Sequence, residues 1–327
     1  MLAVIIATKN RSEALRKYAL PSLGRSSFEN FVCIVWDASD DEKSRKVVEM
    51  EERPFPMIYR KAPRAGSSSQ RNDAVEYVLK TYEDVRYVVF IDDDCELSED
   101  ALEGAVATFR EKGAAIVNIP MHPLKELSKA SRLMESLKRL LGMDRHGAFP
   151  FLYNYGAACE PPGIEVEWAS GGGMAVDIAV FRDDGFRFSE AFQRFGGYAL
   201  GEDFAFSYYV FKKQGGRIVN SMRGFFLHYA AGSARLDIER MAAAKWYNFH
   251  LLYDALNGGC KGPRAFLSRA SFKAFMWVAA LKLLIRARSP DFPAVLRGVA
   301  SARKALREYR ERENIENLMR RPLRMEE

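Results

Sequence analysis

Several common signals are missing from this sequence. Cysteine is scarce: Cys33, Cys95, Cys159 and Cys260 are scattered and form no CxxC pair. That excludes a zinc ribbon or a disulfide framework and reads as reduced thiols in a cytosolic protein. There are only four histidines, so any His-based chemistry has few candidates. No basic leader precedes the opening apolar run LAVIIA, which is expected to be a strand rather than a signal peptide. Long hydrophobic runs are absent too. The most apolar late stretch, Phe272 to Ile285 (FKAFMWVAALKLLI), is shorter than the roughly 20 residues that cross a bilayer, and it carries Lys273 and Lys282. Such a segment can lie on a membrane more easily than span it. No helix-turn-helix, RNP or zinc-finger pattern occurs, which leaves the rival class, a basic nucleic-acid or nucleotide-binding protein with purely structural acids, without a motif.

What is present is an ordinary globular composition. The 327 residues are 48% hydrophobic, enough for one large or two modest domains. The net charge of +6 is spread unevenly. Residues 231–327 hold nineteen Lys and Arg against ten Asp and Glu, and the front of the chain is slightly acidic. A basic tail suits an anionic surface, or it is simply a solvated basic face.

Strand and helix patterns alternate over the first 120 residues. Continuously apolar runs at Leu2 to Ala7, Phe31 to Trp36, Met57 to Lys61, Val85 to Ile91 and Ala114 to Ile119 read as strands. Helical patterns lie between them around Glu13 to Leu20, Lys43 to Glu52, Ser69 to Thr81 and Asp100 to Lys112. The fold class expected is α/β, a Rossmann-like, mainly parallel sheet with helices on both faces. Ligands of such sheets bind beyond the carboxyl ends of the strands. The polar groups placed there are Thr8 to Arg11, Asp37 to Asp41, Arg64 to Gly66 and Asp92 to Asp94. Residues 121–167 break the rhythm with a helical pattern from Leu124 to Leu141 and a Gly, Pro and aromatic loop. They read as an acceptor-side insertion, or as an inert one.

The stretch FIDDDCELSE, residues 90–99, ends a buried strand with three carboxylates. They repel one another, so a positive group must sit among them or they form an acidic turn that points into water and caps the next helix. Asp92 and Asp94, at alternate positions, can share a hard cation such as Mg2+ or Mn2+, whose remaining ligands are water and phosphate oxygens. A second acidic pair, Glu202-Asp203, opens another helical pattern, where dipole capping is the plainer reading.

The ordered blocks IIATKNR, IVWDASDD, AGSSSQRN, FIDDDCEL, SGGGMAV, GEDFAFSYYVFKKQG and FLHYAAGS resemble the inverting, GT-A type family 2 glycosyltransferases, from Met1 to about Arg235. The resemblance implies a GT-A domain over residues 1–235: a nucleotide-binding part (1–120), the acceptor-side insertion (121–167) and a catalytic part (168–235). A basic helical extension, 236–327, follows. It further implies transfer of a sugar, with inversion, from a nucleotide-diphosphate sugar to an acceptor hydroxyl. UDP is the favoured nucleotide, and the acceptor is expected to be lipid-linked or a cell-surface glycan.

Residue by residue, Thr8, Arg11, Asp37, Arg71, Asp92 and Asp93 resemble nucleotide-binding positions. Asp37 would meet the base, although Ala38 replaces the usual second acid. Asp94, Asp92 and His228 resemble ligands of a Mn2+ or Mg2+ cofactor. Asp203 resembles the general base, with Glu202 as the runner-up or an acceptor-binding partner. Gly171, Gly172, Gly173 and Met174 resemble the turn beneath the donor and acceptor pocket. In the tail, Met241 to Leu256 and Ala265 to Ile285 mix aromatic and basic residues as interfacial helices do. This suggests peripheral association with the cytoplasmic face of a membrane, or a homo-oligomer interface. A sugar-phosphate nucleotidyltransferase is the enzymatic alternative, but its first loop normally carries glycines, and TKNRSEA has none.

Overall fold

The computed structural model describes residues 1–50, 52–122, 161–196, 200–229, 237–257 and 291–312, with single residues and pairs between 262 and 277. The strands are β1 (Leu2–Thr8), β2 (Phe31–Asp37), β3 (Met57–Lys61), β4 (Tyr87–Asp92), β5 (Cys95–Leu97), β6 (Ile116–Asn118), β7 (Met121–His122), β8 (Glu165–Val166), β9 (Met174–Asp177), β10 (Ile218–Asn220) and β11 (Phe226–His228). The main sheet has eight strands in the order β3-β2-β1-β4-β9-β6-β10-β8. The β1, β2, β3 and β4 block is parallel, as is β6 with β10, whereas β9 runs antiparallel between β4 and β6.

Both faces of this sheet are covered, and β1 shows why its sequence is continuously apolar. Ala3 and Ile5 join the core on one face while Leu2, Val4 and Ile6 join the other. A strand whose alternate side chains are both buried has no polar face to show in its pattern.

Among the described residues the main helices are α1 (Ser12–Ala14, continuing through a π-helical Leu15–Ala19 into Leu20–Gly24), α2 (Lys43–Glu49), α3 (Ser67–Thr81), α4 (Ala101–Lys112), α5 (Glu202–Gln214), α6 (Ile238–Asn257) and α7 (Phe292–Arg312). The fourth strand lies two residues further along at its start than the apolar run suggests, and it includes Asp92, because Ala7 pairs with Asp92 at its end. In the tail, α6 and α7 pack on each other, and their Tyr247, Leu251, Ala302 and Leu306 share one continuous core with Ile5, Ile34 and Phe90 of the sheet. The helix expected at 124–141 lies outside the described residues. So does most of the 121–167 insertion, apart from β7, β8 and residues 161–167.

A second, three-stranded sheet, β5-β11-β7, matters most for function. In it β11 runs antiparallel to β5 with His228 opposite Cys95, and the Tyr229 amide donates to the Asp94 carbonyl at 3.0 Å. This register brings His228 to the aspartate turn from more than a hundred residues away.

Candidate active site

At the end of β4 the chain turns through Asp93 and Asp94 into β5, and the positive group among the carboxylates is Arg11, from the loop after β1. Its Nη1 lies 2.8 Å from Asp93 Oδ1 and its Nη2 lies 2.5 Å from Asp94 Oδ2. The Thr8 hydroxyl donates to Asp93 Oδ2 at 2.6 Å. Asp93 and Asp94 are each 2% exposed, so this is no acidic turn facing water. Burial pushes the Asp93 carboxyl up to about 7, with Arg11 and Thr8 pulling it down and the neighbouring aspartates adding to the rise. Burial acts on Asp94 the same way. There the hydrogen bond and charge of His228, together with Arg11, overcome it and hold the carboxyl at about 2.

His228 Nε2 stands 3.2 Å from Asp94 Oδ1, and this contact raises the pKa of the imidazole against the lowering effect of burial. Ligand atoms of Asp92, Asp94, Cys95 and His228 all lie within 4.8 Å of one another. Two carboxylates and an imidazole are a suitable donor set for Mn2+ or Mg2+. Cys95 fits less well. Burial raises its thiol well above the ordinary range, and a neutral thiol is a poor ligand for a hard cation.

A second group of acids is tied to the first by one arginine. Arg71, on α3, is 5% exposed; its Nη2 donates to Asp92 Oδ1 at 3.1 Å and its Nη1 to Glu202 Oε1 at 2.8 Å. Glu202 and Asp203 open α5 behind Gly201, whose φ of +86° lies in the left-handed region that glycine adopts without steric cost. Asp203 Oδ2 accepts the Gly171 amide at 2.8 Å, and its Oδ1 accepts the Phe204 amide at 2.8 Å. Burial, and then the adjacent Asp203, push the Glu202 carboxyl up to about 8 against the pull of Arg71. Burial also raises Asp203, opposed by the Gly171 amide and by Arg71.

The glycine triplet is explained by the protein's own packing. A Cβ on Gly171 would meet the Arg71 guanidinium at 3.0 Å, one on Gly172 the Phe226 ring at 3.1 Å and Cys95 Sγ at 3.2 Å, and one on Gly173 the Phe226 ring at 2.6 Å. Only Gly171 therefore borders the acidic group. Met174 differs from expectation: it is fully buried as the first residue of β9, opposite Phe90, inside the core rather than on a pocket wall.

Asp37 ends β2 at the same sheet edge and is fully buried. Its Oδ1 accepts the Ser39 amide at 2.8 Å and also the Ser39 hydroxyl, and its Oδ2 accepts the Tyr59 hydroxyl at 3.0 Å. Burial and Asp37 together raise the Tyr59 phenol. Here Ser39 and Tyr59 hold Asp37 in place of a second acid.

Four contributors had no role assigned to them individually from the sequence. Gln70 Nε2 donates to the carbonyls of Thr8 at 2.9 Å and Trp36 at 2.7 Å, pinning the ends of β1 and β2 together. Asn10 adopts φ +54° and joins the first two loops through Ser39 and Asp40, a conformation Asn tolerates better than most residues. Cys95 and Tyr59 are the others. A polar Gln on the inner face of α3 was the one available signal; the rest depend on strand register.

Comparison with known proteins agrees with the fold. Residues 3–159 match the family model described as Glycosyl transferase family 2. No curated protein sequence matches the chain. Among solved structures, S. aureus TarS 1-349 in complex with UDP-GlcNAc is similar with a TM-score of 0.57 at 15% identity, over 93% of this chain and 81% of that one. The mannosyltransferase PcManGT from Pyrobaculum calidifontis, in complex with GDP-Man and Mn2+, is similar with a TM-score of 0.54 at 14% identity, over 93% of this chain and 75% of that one. At these identities the likeness speaks for the fold.

Proposed function

Residues 3–159 match glycosyltransferase family 2 and the chain has the GT-A fold, and from that premise we propose that it is a glycosyltransferase that transfers one sugar from a nucleotide-diphosphate sugar to an acceptor hydroxyl with inversion. The observation that carries this reading is the bridge made by Arg71, which joins Asp92 of the β4 turn to Glu202 beside Asp203. One end of that bridge suits a diphosphate and the other a hydroxyl losing its proton.

In this proposal Thr8, Arg11 and Asp93 border the donor nucleotide, with Asp37 held by Ser39 and Tyr59 near the base. UDP is the favoured nucleotide. Asp92, Asp94 and His228 would hold a divalent cation, Mn2+ or Mg2+, which when bound supplies positive charge to a diphosphate leaving group. Asp203 is the general base. A carboxylate whose pKa burial has raised is a stronger base than an exposed one, and it takes the acceptor proton as the oxygen attacks the anomeric carbon opposite the departing diphosphate. The Gly171 and Phe204 amides fix its two oxygens, so its orientation is set before substrate arrives. The acceptor is proposed to be a lipid-linked or cell-surface glycan, met at the cytoplasmic face of a membrane.

The test is a thermal-shift panel of UDP, GDP, dTDP and CDP, each with Mn2+ and with EDTA. A ligand bound only by the folded state raises the midpoint. Stabilisation by one nucleotide, present with metal and lost with EDTA, supports the reading. No shift with any of the four would reject it.

A further inference from the structure

Away from the acidic site, α6, α7 and the described residues around 272–277 enclose an open groove of about 580 Å³. Its inner wall is apolar: Trp246 is 8% exposed and Met276 3%. Its rim is different in kind. Trp277 is 66% exposed, and Lys273, Arg303 and Arg307 stand around it, with the Arg303 guanidinium over the Trp246 ring at 5.2 Å.

Charge balance sets this rim apart. Nearby arginines are neutralised: Arg297 pairs with Glu239 at 2.9 Å, and Arg194 pairs with Glu308 at 2.7 Å. Among the described residues, Lys273, Arg303 and Arg307 have no carboxylate partner. Arg303 and Arg307 also share a helix face with two exposed apolar residues. Phe292, Leu296, Arg303 and Arg307 occupy positions i, i+4, i+11 and i+15 of α7, which at about 3.6 residues per turn fall along one stripe. Phe292 is 43% exposed and Leu296 54%. An outward stripe of apolar side chains followed by unneutralised arginines, beside an exposed tryptophan, has the chemistry of a bilayer interface, where aromatic rings sit at head-group depth and cations meet lipid phosphates. No helix among the described residues is long and apolar enough to cross a membrane.

We propose that this groove and the α7 stripe seat the phosphate head groups of an anionic phospholipid bilayer. The proposal rests on the reading of the tail helices as membrane-facing and names the residues that make the contact. The rim cations bind lipid phosphate, Trp277 and Phe292 enter the head-group layer, and the chain lies flat on the surface.

The experiment is co-sedimentation of the full chain with vesicles of phosphatidylcholine alone and of phosphatidylcholine mixed with phosphatidylglycerol, using wild type, the double variant Arg303→Glu/Arg307→Glu, and Trp277→Ser. All three sites are exposed at the surface, and an unchanged circular dichroism melt certifies that each variant is folded. Expected is binding of the wild type to the mixed vesicles, weakened about tenfold or more by the charge reversal and by added salt, and weakened also by Trp277→Ser. Wild type that binds while the variants bind equally well would overturn the groove and leave membrane association to other residues. Wild type that binds neither vesicle would overturn both, without touching the nucleotide shifts that test the transferase reading. A wild-type dimer that the charge reversal converts to monomer without lipid would assign the groove to a second copy of the chain instead.

Discussion

Arg71 donates to Glu202 at 2.8 Å, and its other Nη reaches Asp92 at 3.1 Å, so one buried guanidinium is the common cation of two acids from distant parts of the chain. Removing it leaves the buried Glu202 and the partly exposed Asp92 without their shared donor. Arg71→Met is expected to destabilise the fold by about 3–5 kcal/mol, the cost of breaking a buried pair. Adding Glu202→Gln should recover part of that stability and none of the transfer activity. Urea unfolding of the single and double variants checks the first point, and a transfer assay the second. Equal stability of Arg71→Met and wild type would show that the bridge holds nothing.

Asp203→Asn keeps the size of the side chain and one acceptor oxygen but cannot take a proton. Transfer should fall by about two to four orders of magnitude, the range for a positioned base, while nucleotide binding is retained. Calorimetric titration beside the rate measurement separates the two. A rate near wild type would remove Asp203 from the chemistry.

Asp94→Ala and His228→Ala are expected to abolish the extra thermal stabilisation that Mn2+ gives a bound nucleotide, since each removes one arm of the group within 4.8 Å. Cys95→Ser should leave the metal dependence in place, because its buried thiol stays protonated. The reverse pattern would move the ligand set from the imidazole to sulfur.

The Glu202 carboxyl sits at about 8 in the fold against an ordinary 4.5. The folded state thus keeps a proton that the unfolded chain has released. This contribution is fully present below about pH 4.5 and is lost as pH rises through 8. Glu202→Gln, which is neutral throughout, should gain stability relative to wild type across that window. Melting curves of both proteins at several pH values read the difference, and parallel curves would contradict it.

Cys33 and Cys95 are both fully buried, and burial pushes the Cys33 thiol up to about 12. In a Cys159→Ser/Cys260→Ser background the native protein should therefore show no thiol fast toward Ellman's reagent, and two after unfolding in guanidinium. A rapid native reaction would mean that the core opens locally at one of these strands.

Much of the frame could be read from the chain. A run such as LAVIIAT must be a strand buried on both sides, since Leu2, Val4 and Ile6 fill one core while Ala3 and Ile5 fill the other. Three carboxylates at the end of such a strand require a cation or water, and the residue types in TKNR and SQRN were available to supply the cation. Local chemistry carries these statements, and local chemistry is what a sequence displays.

Tertiary structure alone decided which cation met which acid. Arg11 could be assigned to Asp93 and Asp94, and Arg71 to Asp92 and Glu202, only once the parallel register of β1 with β4 and the seat of α3 were known. His228 reaches Asp94 because β11 pairs with β5, a contact between segments more than a hundred residues apart that no periodicity records. The glycine triplet resembles the turn beneath a donor and acceptor pocket, yet Phe226 and Arg71 stand against it. Met174 suggested a pocket wall and proved to be core. The sequence by itself determined the elements and the chemical types at their ends, because these follow from neighbouring residues. The pairing of charges and the filling of space are properties of distant residues brought together, and those only the folded chain decided.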